Sequence, residues 1–285
     1  MTVHEKAYAK INLYLNVTSK RHDGFHGIET VMQTISLCDD LTVSLAYAHT
    51  AAVHLFVEGE DTLPTDSKNI AKRAAELYLL RSGKTGRIDI SLTKRIPVAA
   101  GLAGGSADAA ATLRAMNRLF DRHFSDSELT ALAAELGSDV PFCLFGGRAV
   151  CRGRGELIEP IPASEALHVV VAIADGEQVS TPAAYRALDA MYSDFDGSVK
   201  NDAPDISKHY NIFENAVFPT CFKAESLKER MLALGALASL MSGSGPSVFG
   251  IFYSETAARS AASAIAFEGA RAFYATTVAS CKNIF

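Results

Sequence analysis

The sequence predicts an α+β fold in two lobes, and three observations carry that expectation. Period-two stretches of β-branched and apolar residues are mixed with helical periodicities, without the strict alternation of a doubly wound sheet. A Pro160-Ile161-Pro162 tract punctuates the chain, dividing it into residues 1–160 and 161–285. Each part also holds one stretch of residues too small to cover its own backbone, at 97–107 and at 242–247.

The elements follow in order. Residues 6–17 alternate (Ala9, Ile11, Leu13, Leu15, Val17) as a strand with one apolar face, which leaves Lys10 and Asn12 on the other. Ser19-Lys20-Arg21-His22-Asp23-Gly24 is a polar turn, and residues 30–43 supply further strands, with Asp39-Asp40 expected as a turn between them. A short strand covers 54–57, and Ile70, Ala74, Leu77 and Leu80 mark a helix over 69–81. Ser82-Gly83-Lys84-Thr85 resembles the end of a Walker A loop. Tyr78 stands where the first glycine belongs, however, and the stretch lies between a helix and a strand, so it is a turn.

Ile88 to Leu92 alternates as a strand and leads into Pro97-Val98-Ala99-Ala100-Gly101-Leu102-Ala103-Gly104-Gly105. Ser106 stands in the N-cap place of a helix that takes in Ala107, Ala109, Leu113 and Met116 and ends near Phe120. A second helix, 125–136, opens with capping-box spacing at Ser125 and Glu128 and stops at Gly137 as a C′ residue. Beyond the proline tract, 167–174 reads as a buried strand, and Thr181-Pro182 as an N-cap followed by proline at the first helical position. Residues 193–209 are polar and irregular. Helices over 223–234 and 255–267 accompany strands over 238–241, 248–252 and 272–276, with Ser242-Gly243-Ser244-Gly245-Pro246-Ser247 between the first two of those strands.

Composition narrows the function. At 285 residues, with 48% hydrophobic and 21% charged side chains, the chain describes an ordinary globular protein with room for two cores. A formal net charge of −5 argues against a general nucleic-acid binder. No apolar run is long enough to span a bilayer and the N-terminus has no signal-peptide core, so a cytoplasmic location is expected. The five cysteines (Cys38, Cys143, Cys151, Cys221, Cys281) are scattered and form no CxxC pair. His22 and His26 are separated by a turn signal, and no metal site built from protein side chains is expected. What remains is the strand, bare loop and helix N-terminus around 97–106. Exposed N–H groups at a helix start suit an anion, above all a phosphate; small residues equally permit close packing, and the run alone leaves both open.

Three separated stretches together resemble the GHMP kinases, the superfamily that includes galactokinase, homoserine kinase and mevalonate kinase. Residues 97–112 are similar to that family's phosphate loop, and residues 241–249 to its C-terminal glycine motif. Ala7-Tyr8-Ala9-Lys10-Ile11-Asn12-Leu13, followed by Arg21-His22-Asp23-Gly24-Phe25-His26, resembles the branch whose acceptor alcohol carries cytidine diphosphate. Tyr8 departs from the usual proline and Phe25 from a frequent tyrosine. Ala99, Ala100 and Ala103 replace glycines of some relatives, and are expected at negative φ.

The resemblance implies a cleft between an N-terminal ATP-binding domain (1–160) and a C-terminal domain (161–285), and transfer of the γ-phosphoryl of ATP to a hydroxyl with Mg²⁺ present. It implies ATP phosphates on residues 97–107, with Mg²⁺ near Ser106, and Asn69 and Lys94 on the adenine side. Asp139, from Gly137-Ser138-Asp139-Val140-Pro141, would face the acceptor hydroxyl, with Lys10 beside it. Asn12, Phe25, His26 and Tyr185 would hold the acceptor and its cytosine, and Gly243, Ser244 and Gly245 would close the site. The implied assembly is a monomer or weak homodimer with small-molecule partners and neither nucleic acid nor membrane. Two alternatives accompany this expectation: a mevalonate- or homoserine-type kinase, and a catalytically silent nucleotide-binding regulator.

Overall fold

A long antiparallel hairpin of β1 (Thr2–Lys20) and β2 (His26–Ala46) runs through the middle of the molecule. The computed structural model describes residues 1–162, 166–174, 176–177, 179–192 and 208–281; all but the last two residues of the polar stretch 193–209 lie outside these. After the hairpin come β3 (Ala51–Glu58), α1 (Ile70–Ser82), β4 (Gly86–Thr93), α2 (Gly104–Leu119), α3 (Asp126–Leu136), α4 (Val140–Phe145), β5 (Arg148–Arg152) and β6 (Leu157–Pro160). The chain continues through β7 (His168–Ile173), α5 (Thr181–Met191), β8 (Tyr210–Asn211), α6 (Phe213–Val217), α7 (Phe222–Ala233), β9 (Ala238–Met241), β10 (Val248–Phe252), α8 (Glu255–Phe267) and β11 (Arg271–Thr276).

Two sheets result. The first has the order β3-β4-β2-β1-β8, with β5 paired to β2 and β6 to β5; the second has the order β11-β7-β10-β9. Strand β8 thus returns from the later part of the chain to lie parallel to β1. The second sheet shows period-two burial on both faces, as the apolar run of β7 requires. Val169, Val171 and Ile173 join the main core beneath α1 and α2, while Val170 and Ala172 pack with Met231 and Ile265 under α7 and α8. The two sheets therefore share one continuous core.

Several local expectations change. Asp39-Asp40 is no turn: β2 runs straight through, with Asp39 opposite Ala7. Strand continuity is kept because Asp39, fully buried, accepts hydrogen bonds from the backbone N–H groups of Arg95 (2.5 Å) and Ile96 (2.8 Å) and from Lys94. Helix α2 begins at Gly104 with Ala103 in the cap position, so Ser106 sits inside the first turn. Ala99 and Ala103 have φ of 54° and 57°, contrary to the negative values expected, whereas Ala100 is not among the positive-φ residues. The sharp reversal into α2 imposes left-handed backbone there, at roughly 1–2 kcal/mol for each alanine. Helix α5 starts one residue earlier than expected: Ser180 takes the cap position, Thr181 the first turn, and Pro182 follows. The capping box on α3 forms as expected, although Gly137 ends that helix with an extended φ of 171°.

Candidate active site

The site grows from a defect in β1. Pairing with β2 shifts register between Tyr8 and Lys10 and again between Asn12 and Tyr14. Such bulges re-aim side chains. Between them Lys10 and Asn12 are buried, and both line a cavity of about 1100 Å³. The backbone N–H of Lys10 donates to the carbonyl of Leu102 (3.1 Å), tying β1 directly to the bare loop.

Lys10 is fixed on three sides. Its ammonium donates to Asn12 Oδ1 (2.8 Å) and to the carbonyl of Gly101 (3.2 Å), and lies 3.5 Å from Asp139 Oδ2. Asn12 in turn donates to Thr30 Oγ1 (2.8 Å) and accepts from the N–H of Gly243 (3.0 Å). Asp139 stands at the first position before the short helix α4, its side chain making no capping bond, 30% exposed and lining the cavity. The result is a buried cation and a partly open carboxylate aimed at one point, bordered by both small-residue loops.

Those loops lock together. Ser242 Oγ donates to the carbonyl of Gly101 (3.0 Å) and Ser247 Oγ to that of Ala100. A Cβ on Gly101, at φ +77°, would stand 2.1 Å from the carbonyl oxygen of Ser242, so glycine is required by both space and conformation. Asn211, on β8, donates to the carbonyls of Met241 (2.7 Å) and Gly243 (2.8 Å). Ser244 and Thr181 share a hydroxyl–hydroxyl bond of 2.9 Å, which joins the second loop to α5.

Pro97 through Ser106 line the cavity. Ala107 does not; it faces the core. Asn69 lines the cavity as the N-cap of α1, accepting from Ala71 N–H and donating to the carbonyl of Pro64, both at 3.0 Å. Lys94 also lines it, but its ammonium is engaged in a buried triad with Asp39 and, at 2.7 Å, with Asp108. One cation with two carboxylates in a buried place leaves an excess negative charge. Burial, helped by the charge of Asp39 and opposed by Lys94, pushes the Asp108 carboxyl well above the usual carboxylate range.

The far end of the cavity is aromatic. Phe25 is 51% exposed, with the Arg154 guanidinium 5.0 Å from its ring centroid. The rings of His26 and Tyr185 stack at 4.6 Å with 24° between their planes. Burial, with the nearby charge of Asp139 adding to it, pushes the Tyr185 hydroxyl up to about 12. Gly243, Ser244 and Gly245 border the same space. The structure thus gathers every candidate except Ala107 around one cavity. Sequence reasoning missed Thr30, Asn211, Asp39, Asp108, Arg154 and Asp189, whose partners are remote in the chain. Asp189 alone left a signal, lying one helical turn from Tyr185.

Comparison with known proteins identifies the family. The family model of the GHMP kinase N-terminal domain matches residues 69–147, and that of the C-terminal domain residues 182–271. Proteins named 4-diphosphocytidyl-2-C-methyl-D-erythritol kinase are similar over most of the chain. That of Geobacillus sp. (strain WCH70) is 42% identical, covering 86% of each chain, and that of Macrococcus caseolyticus (strain JCSC5402) is 38% identical, covering 92% of this chain and 95% of its own. A crystal structure of a 4-(cytidine 5'-diphospho)-2C-methyl-D-erythritol kinase superimposes with a TM-score of 0.80 at 36% identity, covering 96% of this chain and 99% of the other. A homoserine kinase from Cytophaga hutchinsonii, at 21% identity and a TM-score of 0.71, shares the fold alone. The chain belongs to the GHMP kinases and, within them, to the 4-diphosphocytidyl-2-C-methyl-D-erythritol kinases. It is an ATP-dependent small-molecule kinase.

Proposed function

We infer that the chain transfers the γ-phosphoryl group of ATP to the 2-hydroxyl of 4-diphosphocytidyl-2-C-methyl-D-erythritol, giving the 2-phosphate and ADP, a step of non-mevalonate isoprenoid biosynthesis. One observation carries the chemistry: the Lys10 ammonium and the Asp139 carboxylate, 3.5 Å apart, face a cavity with a bare phosphate loop on one side and an aromatic pocket on another. Phosphoryl transfer asks a protein chiefly for positioning and charge neutralisation.

In this reading residues 101–106 hold the ATP phosphates on backbone N–H groups at the start of α2. Asp139 accepts a hydrogen bond from the acceptor hydroxyl and orients its oxygen toward the γ-phosphorus. A carboxylate side chain such as that of Asp139 is a weak base for an alcohol. It therefore takes the proton late, as the new O–P bond forms and the bond to ADP breaks, while Lys10 stabilises charge on the incoming oxygen. Asn12, bonded to both Lys10 and Gly243, keeps that ammonium in place. The loop offers one side-chain hydroxyl, Ser106, beside its N–H groups, a donor set that fits Mg²⁺ ligated mainly by phosphate oxygens. Bound there, the metal would neutralise phosphate charge.

Phe25, His26 and Tyr185 suit a pyrimidine, since stacking on aromatic side chains contributes about 1–3 kcal/mol per base. Asn69 and Lys94 border the adenine side. We assign residues 1–160 to binding ATP and 161–285 to closing the cleft, in a cytoplasmic monomer or weak homodimer. Among the described residues no helix is long and apolar enough to cross a membrane.

The test is ATP consumption by the purified protein with Mg²⁺ and, separately, the cytidylyl acceptor, mevalonate and homoserine. Turnover with the cytidylyl acceptor alone supports the kinase and its base pocket together. Turnover with another alcohol would remove the base pocket, and ATP binding without turnover on any acceptor would favour a regulator.

A further inference from the structure

Asp189 lies on α5, outside the reacting centre, yet it is the meeting point of two segments far apart in sequence. Lys20 ends β1 and His26 opens β2, and the two are directly paired across the hairpin. Both reach Asp189: His26 Nε2 lies 2.7 Å from Oδ1, and Lys20 Nζ lies 2.6 Å from Oδ2. Tyr185 is one turn earlier on the same face of α5 and stacks on the His26 ring. One helix face therefore holds the imidazole twice, by its edge and by its plane.

We propose that Asp189 is a positioning residue of the base pocket, docking the β1–β2 hairpin onto α5 and fixing the ring proton of His26 at Nε2. An ionised carboxylate only accepts, so Nε2 must be the donor. Partial burial raises the Asp189 pKa, but hydrogen bonds from Lys20 and His26 outweigh it and hold the group ionised below the usual carboxylate range. Among the described residues, the other charged groups around this end include Arg154, paired with Glu156 in the turn between β5 and β6, and Arg186 on α5, with Arg21 and Asp23 paired to each other in the hairpin turn. Among the described carboxylates lining the cavity, Asp108 and Asp139 are engaged elsewhere, and Asp189 is the one that reaches this hairpin. Phe25 is carried on the same hairpin, so docking also limits where its ring can stand at the edge of the cavity.

An amide at this position has one acceptor oxygen for two donors, so Asp189→Asn must release Lys20 or force His26 into its other tautomer. The inference rests on the base-pocket reading, and the experiment separates the two. Cytidine diphosphate is titrated into the full-length wild type, Asp189→Asn and Asp189→Glu. Acceptor and ATP kinetics are measured on each protein, with the ¹⁵N shifts of His26. Loss of a charge-assisted hydrogen bond should weaken cytidine diphosphate binding, and raise KM for the acceptor, by about tenfold to a hundredfold. KM for ATP should stay unchanged, Asp189→Glu should recover part of the loss, and the His26 shifts should move from the Nε2–H pattern in Asp189→Asn. Equal binding by wild type and Asp189→Asn would overturn the role of Asp189 alone. So would a parallel loss of ATP affinity and thermal stability that glutamate does not restore. Failure of the wild type to bind cytidine diphosphate would overturn the base pocket itself, and this inference with it.

Discussion

The two ends of the cavity are held by different materials. At the phosphate end the contacts are backbone carbonyls and buried side chains: Gly101 accepts from Lys10 and Ser242, Ala100 accepts from Ser247, and the Lys94 triad lies beneath. At the base end they are mostly long or half-exposed side chains, Phe25 below Arg154 and Lys20 on Asp189, with His26 buried between Asp189 and Tyr185. Backbone-built contacts cannot shift without displacing β1 or α2, which suits a centre where charge must be met at a fixed point. Side-chain contacts can rearrange around a ligand, and their loss should show in affinity before it shows in rate.

The largest effect that contrast implies is at the reacting centre. Asp139→Asn keeps the side-chain volume but accepts no proton, and should lower kcat by about 10²–10⁴-fold while leaving KM for ATP near its original value. A loss below tenfold would reduce Asp139 to a structural residue. Next comes a pair of glycines, one at each end. Gly101→Ala meets the Ser242 carbonyl at 2.1 Å and should cost about 1–3 kcal/mol of stability, with roughly a hundredfold in kcat/KM for ATP from the displaced loop. Gly24→Ala, at φ +82° in the hairpin turn with nothing within 4 Å, carries the conformational cost alone, about 1 kcal/mol. Thermal melts and ATP kinetics on both variants decide the matter. Equal losses would erase the distinction between the two ends.

The same contrast explains what was legible in the sequence. Periodicity is local, so β4, α1, α3 and the strands of the second sheet were found close to their true limits. The bare loops were visible because smallness is itself a signal. The errors came where a remote partner overrides a local rule. Asp39-Asp40 has turn composition, but a lysine and two N–H groups from residues 94–96 satisfy Asp39 inside a continuous strand. Ala99 and Ala103 should avoid positive φ, yet the reversal between β4 and α2 holds them there. Lys10 and Asn12 alternate as a solvated face would, and no pattern announces the bulges that turn them into a buried cavity wall. At the site, residue type and resemblance pointed to the groups that would face ligand, whereas the residues that hold those groups, Thr30, Asn211 and Asp189, are joined to them only by the fold.

At the base end the expected effect is smaller and falls on another parameter. Phe25→Ala removes one stacking surface and should raise KM for the cytidylyl acceptor about fivefold to a hundredfold, with kcat and KM for ATP little changed. Steady-state kinetics with each substrate varied in turn will show it. A fall in kcat equal to the rise in KM would mean that the pocket also sets the distance to the γ-phosphate, and would remove the division of labour between the two ends.

The smallest expected effect concerns the ground on which the phosphate loop stands. Lys94 balances one carboxylate, and Asp39, with its two backbone N–H donors, is the better hydrogen-bonded of the two. Asp108 has one oxygen on Lys94 and the other, Oδ1, buried without a hydrogen-bond partner among the described residues, so its neutral form is the cheaper one to bury. Its folded pKa is raised, so the folded state keeps a proton that the unfolded chain gives up near pH 4. Between that pH and the raised folded value the unfolded state binds fewer protons than the native one, and stability falls as pH rises through the window. Asp108→Asn imitates the neutral form and cannot ionise. Its urea midpoint should therefore lack this decline between pH 4 and the upper end of the window, while other groups titrate alike in both proteins and cancel in the difference. Parallel pH curves for wild type and Asp108→Asn would show instead that Asp108 is ionised in the native protein, and that the loop rests on a buried triad carrying net charge.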